Sequence, residues 1–252
     1  MNNSMVMLKT SRKYHKWMML FIGVQFVIWS ITGAYMVFFD IDYIHGDSLV
    51  TNHQTKISPD EMQYSLKDLL NDYPLAEHIK VGTFIKKNVY RFDVKEETYL
   101  IDAANGRAIS PLSKEMAQVA AKHYYGGDGQ IQEVELLLEN PPFELNARAL
   151  PAWRVNFDNF GSPSIYVSAQ SGLLVGKRHE FWRLFDWMFR FHIMDYGDAE
   201  EIDNMLLFCI ALFAIVACIL GLMLTYFRVF KANDETSHTP AESAALDKGA
   251  EL

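Results

Sequence analysis

The sequence WMMLFIGVQFVIWSITGAYMVFF, residues 17–39, decides the fold, because none of its 23 residues carries a formal charge. A helix of that length can cross a bilayer hydrocarbon core of about 30 Å. A basic segment, residues 1–16, precedes it, and a cleaved signal peptide would share that order of a basic start and an apolar stretch. We favour a permanent membrane helix, because the run is long and no cleavage site of small residues follows it.

A second apolar segment, residues 205–227, predicts a second membrane helix. Arg228 and Lys231 follow it, whereas acidic residues precede it. Basic residues thus flank both segments on one side, which by the positive-inside rule predicts that both termini are cytoplasmic. The predicted order is a cytoplasmic N-terminus (1–16), a first span (17–39), an outer domain (40–178), an amphipathic interfacial helix (179–197), an acidic entry with the second span (198–230) and a disordered cytoplasmic tail (231–252).

The composition excludes several classes of function. The net charge is −8, and no basic patch exists away from the first span, which argues against nucleic-acid binding. Cys209 and Cys218 both lie in the second span, about half a turn out of phase, so they cannot form a disulfide within one helix. Walker, GxGxxG, GxSxG and HExxH motifs are missing, so neither a hydrolase nor a nucleotide-bound flavin or NAD reductase is supported.

The outer domain, residues 40–178, contains an internal repeat. LIDAANG at residues 100–106 and YVSAQSG at residues 166–172 share two apolar residues, a polar one, Ala, any residue, a polar one and Gly. Upstream, VYRFDV at residues 89–94 and AWRVNF at residues 152–157 both alternate as strands do, with Arg at the same place. Two copies of one supersecondary unit explain this pattern most economically.

Each copy of the repeat also follows a predicted helix. The first is expected at residues 59–71, capped by Ser58, and the second at residues 113–122. Gly106 and Gly172 are expected to supply positive φ at the hairpin turns. The predicted fold class is therefore α+β, with two transmembrane helices flanking a domain of two helix-plus-antiparallel-sheet units.

The segment FWRLFDWMFRFHIMDY, residues 181–196, predicts an amphipathic helix. At 3.6 residues per turn, Arg183 and Arg190 belong to a polar stripe, while His192 falls on the opposite, apolar side. A histidine therefore occupies a position where an apolar residue is expected. The alternative role for His192 is that of an interfacial side chain bonded to a carbonyl or a lipid headgroup.

His15 also belongs to an apolar helical face, on which Gly33 recurs about five turns later. That face could line the interior of a helix bundle and let a neighbour or a flat ring approach closely. Alternatively, His15 is part of the basic flank formed with Lys13 and Lys16. Solvated or local roles are expected for the histidines in polar stretches, which are His53, His78, His123 and His238.

Four motifs in this order resemble one known family. They are RKYHKW (12–17) before the first span, TGAY (32–35) at its end, FHIMDY (191–196), and GLMLTYFR (221–228) at the end of the second span. With the repeated strand-turn, they resemble the PepSY-associated transmembrane proteins over nearly the whole chain apart from the tail. The two-span pattern is closest to the VciB-type ferric reductases, with FoxB-type ferrisiderophore reductases as four-helix relatives.

The resemblance implies a b-type haem protein of the bacterial inner membrane that passes electrons to ferric iron in the periplasm. Haem iron takes imidazole readily, which makes His15 and His192 candidate axial ligands. They lie about a bilayer thickness apart and cannot share one iron. A homodimer would resolve this, because paired His192 could hold an outer haem and paired His15 an inner one. His45 or His179 stays open as the second outer ligand within one protomer.

Two further sets of residues could serve a haem ferric reductase. Arg183 and Arg190 could pair with haem propionates, or could form ion pairs along their own helix with Asp186. The acidic residues before the second span could gather ferric iron or could cap that helix; they are Asp195, Asp198, Glu200, Glu201 and Asp203.

The resemblance therefore implies an enzyme, a haem b ferric reductase with Fe(III) as its substrate and membrane lipids around it. Its electron donor is unidentified and must come from outside the chain, for example membrane quinol or a cytoplasmic reductase. Its product would reach a ferrous iron transporter indirectly. The alternative is a membrane-anchored PepSY module that binds or regulates a peptidase or signalling partner without redox chemistry.

Overall fold

The computed structural model describes residues 3–51, 56–196 and 204–231, and the chain forms two compact units. In chain order the helices are α1 (Asn3–Phe38), α2 (Ile41–Ile44), α3 (Leu66–Asp72), α4 (Lys114–Tyr124), α5 (Glu180–Ile193) and α6 (Met205–Tyr226). The strands are β1 (Ala76–Phe84), β2 (Lys87–Val94), β3 (Glu97–Asp102), β4 (Ile131–Leu137), β5 (Ala152–Phe157), β6 (Ser164–Ser168) and β7 (Leu174–Arg178). This mixture confirms the α+β fold class.

The first unit comprises Met1–Tyr35 and Met188–Leu252 and contains the two long apolar helices. The segments Lys9–Phe38 and Met205–Val229 are long and apolar enough to cross a membrane, which confirms two candidate membrane helices. Only 11% of the most apolar window of each is buried within the chain. Most of both helix surfaces is therefore left for lipid or for another protein chain.

The less exposed residues of α1 are spaced alternately four and three positions apart, which places them on one side of the helix. That side contacts α6 in antiparallel order, because His15 lies against Ala217 and Gly221, whereas Phe21 stacks edge-on against Phe213. The residues on this side of α1 are Ser11, His15, Met18, Ile22, Gln25, Trp29 and Thr32. The apolar face predicted for His15 is therefore a face turned toward protein.

The second unit, Met36–Trp187, contains two antiparallel sheets, ordered β1-β2-β3 and β4-β5-β6-β7. Their central strands confirm the repeat, because Arg91 pairs with Leu100 in the first sheet as Arg154 pairs with Tyr166 in the second. The repeated motifs thus share register as well as sequence.

The two turn glycines of the repeat have the expected backbone. Gly106 has φ +71° and Gly172 has φ +69°. A side chain at Gly172 would also lie 2.7 Å from the ring of Phe84, which belongs to the other sheet. The second repeat turn therefore packs onto the first sheet.

The first predicted helix begins later than expected. Residues 59–61 form only a 3-10 turn, and Ser58 makes no side-chain capping bond, so the prediction of one helix at 59–71 is wrong. The backbone carbonyl of Ser58 instead accepts a 2.7 Å hydrogen bond from the Asn88 amide. Helix α3 starts at Leu66, where Ser65 and Asp68 form the reciprocal capping box. The second predicted helix is confirmed as α4, with Ser113 as its cap.

The two sheets and α4 share one hydrophobic core. Because the same cluster takes side chains from both repeats, the second unit folds as one domain. Its fully buried members include Val89 and Leu100 of the first sheet, Val155, Phe157, Ile165 and Val167 of the second, and Ala120 and Ala121 of α4.

Candidate functional site

His192 lies on the last full turn of α5 and is held by one turn of α1. Its Nδ1 atom is 2.8 Å from Oγ1 of Thr32, and its backbone carbonyl accepts a 2.7 Å hydrogen bond from the Trp29 indole. The ring also lies beside Gly33, where an added Cβ would be 3.6 Å from Cε1, an ordinary van der Waals contact. Helix α5 ends immediately afterwards, where Met194 adopts a positive φ of 59°. Gly197, the residue expected to end this helix, lies outside the described residues.

The Thr32 hydroxyl determines the tautomer of His192. Its single proton is directed to the carbonyl oxygens of Ile28 at 2.9 Å and Trp29 at 3.3 Å, so the oxygen accepts from Nδ1–H of His192. The lone pair of the imidazole is then on Nε2. Within the described part of the chain, Nε2 of His192 has no hydrogen-bond partner. A metal-ligating histidine has this arrangement, because its other ring nitrogen donates to an oxygen of the protein.

His15 is arranged in the same way at the other end of α1. Its Nδ1 atom is 3.1 Å from the carbonyl oxygen of Ala217, which can only accept, so Nδ1 carries the proton. Nε2 again keeps its lone pair. Gly221 lies close beside the ring, since a Cβ there would be 2.9 Å from Cε1 of His15 and the ring would have to shift.

A cavity of about 1090 Å³ opens beside His15. Helix α1 contributes Arg12, His15 and Met19 to its wall, and the C-terminal part of the second apolar segment contributes Cys218 and Arg228, among others. This volume is at the upper end for small-molecule and cofactor sites, which enclose roughly 300–1,000 Å³. At roughly 1.5 Å per residue, Thr32 lies about 26 Å farther along α1 than His15. The two histidines therefore belong to separate sites.

His179 has no ring nitrogen left for a metal in this structure. Nε2 donates to the carbonyl of Tyr43 at 2.8 Å, and Nδ1 accepts from the backbone N–H of Phe181 at 3.2 Å. Burial lowers the pKa of His179, which keeps the imidazole neutral. His45 is exposed and caps the C-terminus of α2 through its backbone N–H. The role of His45 as an axial ligand stays a prediction.

Arg183 is engaged inside the second unit. It makes two hydrogen bonds to the buried carboxylate of Glu144, of 2.6 and 2.9 Å, and a third of 2.8 Å to Glu180. The Tyr166 hydroxyl also donates to Glu144. Binding a propionate would require Arg183 to give up these partners. Arg190 is half-buried on α5, and its role toward a propionate stays a prediction.

Most of the acidic stretch before the second span lies outside the described residues, and Asp195 is its one described member. Asp198, Glu200, Glu201 and Asp203 lie outside the described residues, as do His53, His238 and residues 232–252. Among the residues with described positions, no cluster of three or more His, Cys, Asp or Glu side chains could hold a metal ion. His15 and His192 are thus isolated imidazoles, which suits a haem because the porphyrin itself supplies four of the iron ligands.

Sequence reasoning found the two histidines but missed the residues that orient them. Thr32 and Gly221 lie within the TGAY and GLMLTYFR motifs. These motifs therefore included the two residues, but neither residue had a predicted role. Arg12 and Glu144 were missed because their neighbours are distant in sequence.

One comparison with known proteins found a match. The family model of the PepSY-associated TM region matches residues 12–243. Neither the curated proteins nor the solved structures include a match. The matched range includes nearly all of both candidate membrane helices and the whole sheet-containing unit. The chain therefore belongs to the family of PepSY-associated transmembrane proteins.

Proposed function

We propose that the protein is a b-type haem ferric reductase of the bacterial inner membrane, which passes electrons from a cytoplasmic or quinol donor to periplasmic Fe(III) and supports ferrous iron uptake. One observation carries the proposal. His15 and His192 each have Nδ1 committed to a protein oxygen and Nε2 left with a lone pair. Two imidazoles prepared in this way on a membrane unit are what axial ligation of haem requires.

The residues around each histidine fit a haem. At His15 the cavity of about 1090 Å³ has mixed apolar and cationic walls. At His192, Thr32 engages only Nδ1, so Nε2 is left without a hydrogen-bond partner among the described residues. When bound, haem supplies a one-electron redox centre whose potential depends on its axial ligands and surroundings. The chain itself holds and orients the two imidazoles.

A second copy of the chain would complete each ligand set. An electron-transfer haem with two axial ligands needs two imidazoles, whereas each site takes one from a single chain. The apolar helices bury little of their surface internally, which leaves area for a homodimer. Two haems per dimer, one held by paired His15 and one by paired His192, follow from this count.

The proposed orientation gives the two sites different tasks. His15 is near the basic start of α1, so the positive-inside rule assigns it to the cytoplasmic side, where the donor arrives. His192 is held near the other end of α1, so it belongs to the periplasmic side, where Fe(III) arrives. Thr32 keeps the Nδ1 proton of His192 in place, and the carbonyl of Ala217 does the same for His15.

The experiment is a spectral titration of the detergent-purified, full-length protein. We expect a b-type Soret and α band on reduction with dithionite, and loss of that reduced spectrum when ferric citrate is added without oxygen. Fe(II), trapped with ferrozine, should form in proportion to the haem oxidised. Coloured protein that ferric citrate leaves reduced would rule out ferric reduction. Colourless, fully folded protein would rule out haem and favour the non-redox PepSY module.

A further inference from the structure

The cavity at His15 has two cationic side chains on opposite helices. Arg12 comes from α1 and Arg228 from the turn that follows α6. No acidic side chain lines the cavity among the residues that the structure describes. Neither guanidinium has a hydrogen-bond or ion-pair partner within those same residues. Two exposed guanidinium groups beside an apolar wall favour an anionic ligand, because each can form charge-assisted hydrogen bonds with a carboxylate.

The location of these arginines separates them from an ordinary basic flank. Lys9, Lys13 and Lys16 carry the same charge on the same stretch of α1, yet none of them lines the cavity. Arg12 does so because it precedes His15 by three residues and shares its helical face. If the basic segment served only to set the membrane orientation, Arg12 would not need to lie on the same helical face as His15.

The second helix repeats this geometry. Arg228 follows Gly221 by about two turns, and Gly221 is the residue that the His15 ring contacts. Thr225, between them, also lines the cavity and directs its hydroxyl to the Gly221 carbonyl at 2.9 Å. On α1, the face that carries His15 also carries Arg12. The face of the second helix that contacts the His15 ring likewise leads to Arg228, at the same end of the helix pair.

We propose that Arg12 and Arg228 clamp the carboxylates of the ligand that His15 binds, so that they hold the propionates of the inner haem at the basic end of the helices. This inference rests on the proposed function and extends it to residues that had no role. A guanidinium fork matches a carboxylate with two parallel hydrogen bonds, and two such forks fit a ligand with two carboxylates. Arg183, engaged with Glu144, is not needed for this clamp.

The test compares arginine variants with lysine variants of equal charge change. Arg12→Gln, Arg228→Gln and the double variant remove the clamp, whereas Lys13→Gln and Lys16→Gln each remove one charge from the same flank. Haem loss is followed in the full-length protein by transfer to excess apomyoglobin, and the haem midpoint potentials by redox titration. We expect each arginine variant to speed the loss of one haem component roughly tenfold, since a charge-assisted hydrogen bond is removed. That component should also shift to lower potential, because an uncompensated propionate disfavours the added electron.

Three results would overturn the clamp. The first is a double arginine variant that retains both haem components with unchanged loss rates and potentials. The second is an equal effect of the lysine variants, which would show a bulk charge effect. The third is an anionic phospholipid that native mass spectrometry finds on the purified protein and that only the arginine variants lose. A lipid headgroup would then occupy the clamp in place of the propionates. Failure of the proposed function looks different, because the unsubstituted protein itself would then be colourless.

Discussion

The Nδ1 atom of His192 lies 2.8 Å from the Oγ1 atom of Thr32, and this contact decides which nitrogen of the imidazole is free. Thr32 is almost completely buried, and its own proton is directed to a carbonyl one turn earlier. The oxygen therefore acts as the acceptor and keeps the lone pair of His192 on Nε2. His15 reaches the same state through the Ala217 carbonyl.

The first prediction concerns Thr32→Val, which keeps the shape of the side chain and removes the acceptor. Loss of a partner that orients a metal-ligating histidine typically costs about 10–100-fold in affinity. We expect a loss of that size for one haem component, measured by haem content and by transfer to apomyoglobin. Thr32→Ser retains the hydroxyl and should behave as the unsubstituted protein. Equal haem retention in the valine and serine variants would contradict this role of Thr32.

The second prediction contrasts two glycines of the membrane unit. A Cβ at Gly221 would lie 2.9 Å from Cε1 of His15, whereas a Cβ at Gly33 would lie 3.6 Å from Cε1 of His192. Gly221→Ala should therefore displace the His15 ring and change the absorption spectrum of one haem component. Gly33→Ala makes only an ordinary van der Waals contact and should leave the spectrum unchanged. Indistinguishable spectra of the two variants would contradict the close packing at His15.

The third prediction concerns the pH dependence of stability through Glu144. Burial alone would raise the pKa of Glu144, but hydrogen bonds from Arg183 and Tyr166 and the charge of Arg183 hold it below the ordinary 4.5. The folded pKa is thus lower than the unfolded one. The stabilisation is fully present above the unfolded value and is lost as pH falls through the folded value. Thermal unfolding between about pH 6 and pH 3 should show this loss, and Glu144→Gln should reduce it.

The partner of that carboxylate provides the matching variant. Arg183→Met should lower the free energy of unfolding by about 3–5 kcal/mol, because Glu144 would be left charged and buried without its cation. Arg154→Met is the control, since its partner Glu135 is half exposed and the pair contributes little. Similar losses in both variants would contradict the distinction between the two ion pairs.

The fourth prediction is that Gln25→Leu stabilises the protein. Gln25 is 7% exposed near the middle of the first apolar segment, and its amide nitrogen has no hydrogen-bond partner among the described residues. Replacing it with an apolar side chain of similar size should raise stability by roughly 1 kcal/mol, measured by thermal unfolding in detergent. Ser30→Ala, which alters an exposed hydroxyl, should change little. Destabilisation by Gln25→Leu would show that the amide has a partner in the assembled protein.

Local patterns predicted the elements whose signals are local. The strand repeat, the turn glycines and the helix at residues 113–122 could be read from alternation and composition. The start of α3 could not, because Ser58 and Ser65 both precede an acidic residue by three positions. Tertiary hydrogen bonds distinguish these two candidates, because the Asn88 amide donates to the carbonyl of Ser58 and the backbone N–H of Tyr64 donates to the carbonyl of Ala103.

In the candidate sites, too, local features could be predicted from the sequence and tertiary contacts could not. Helical period alone placed His15 and His192 on apolar faces. Their orienting partners lie on other helices, and the partner of Arg183 is Glu144, which is separated from α5 by the three strands β5, β6 and β7. The helical period of α5 alone therefore could not show whether Arg183 pairs with a haem propionate or with a carboxylate of its own domain.

The most direct test of the account is the haem content of four full-length proteins purified in parallel: the unsubstituted chain, His15→Ala, His192→Ala and the double variant. The account predicts one haem per chain in the first, about half of that with a different remaining spectrum in each single variant, and none in the double variant. Membrane insertion should be equal in all four. Full haem content with an unchanged spectrum in both single variants, or a colourless but folded unsubstituted protein, would contradict it.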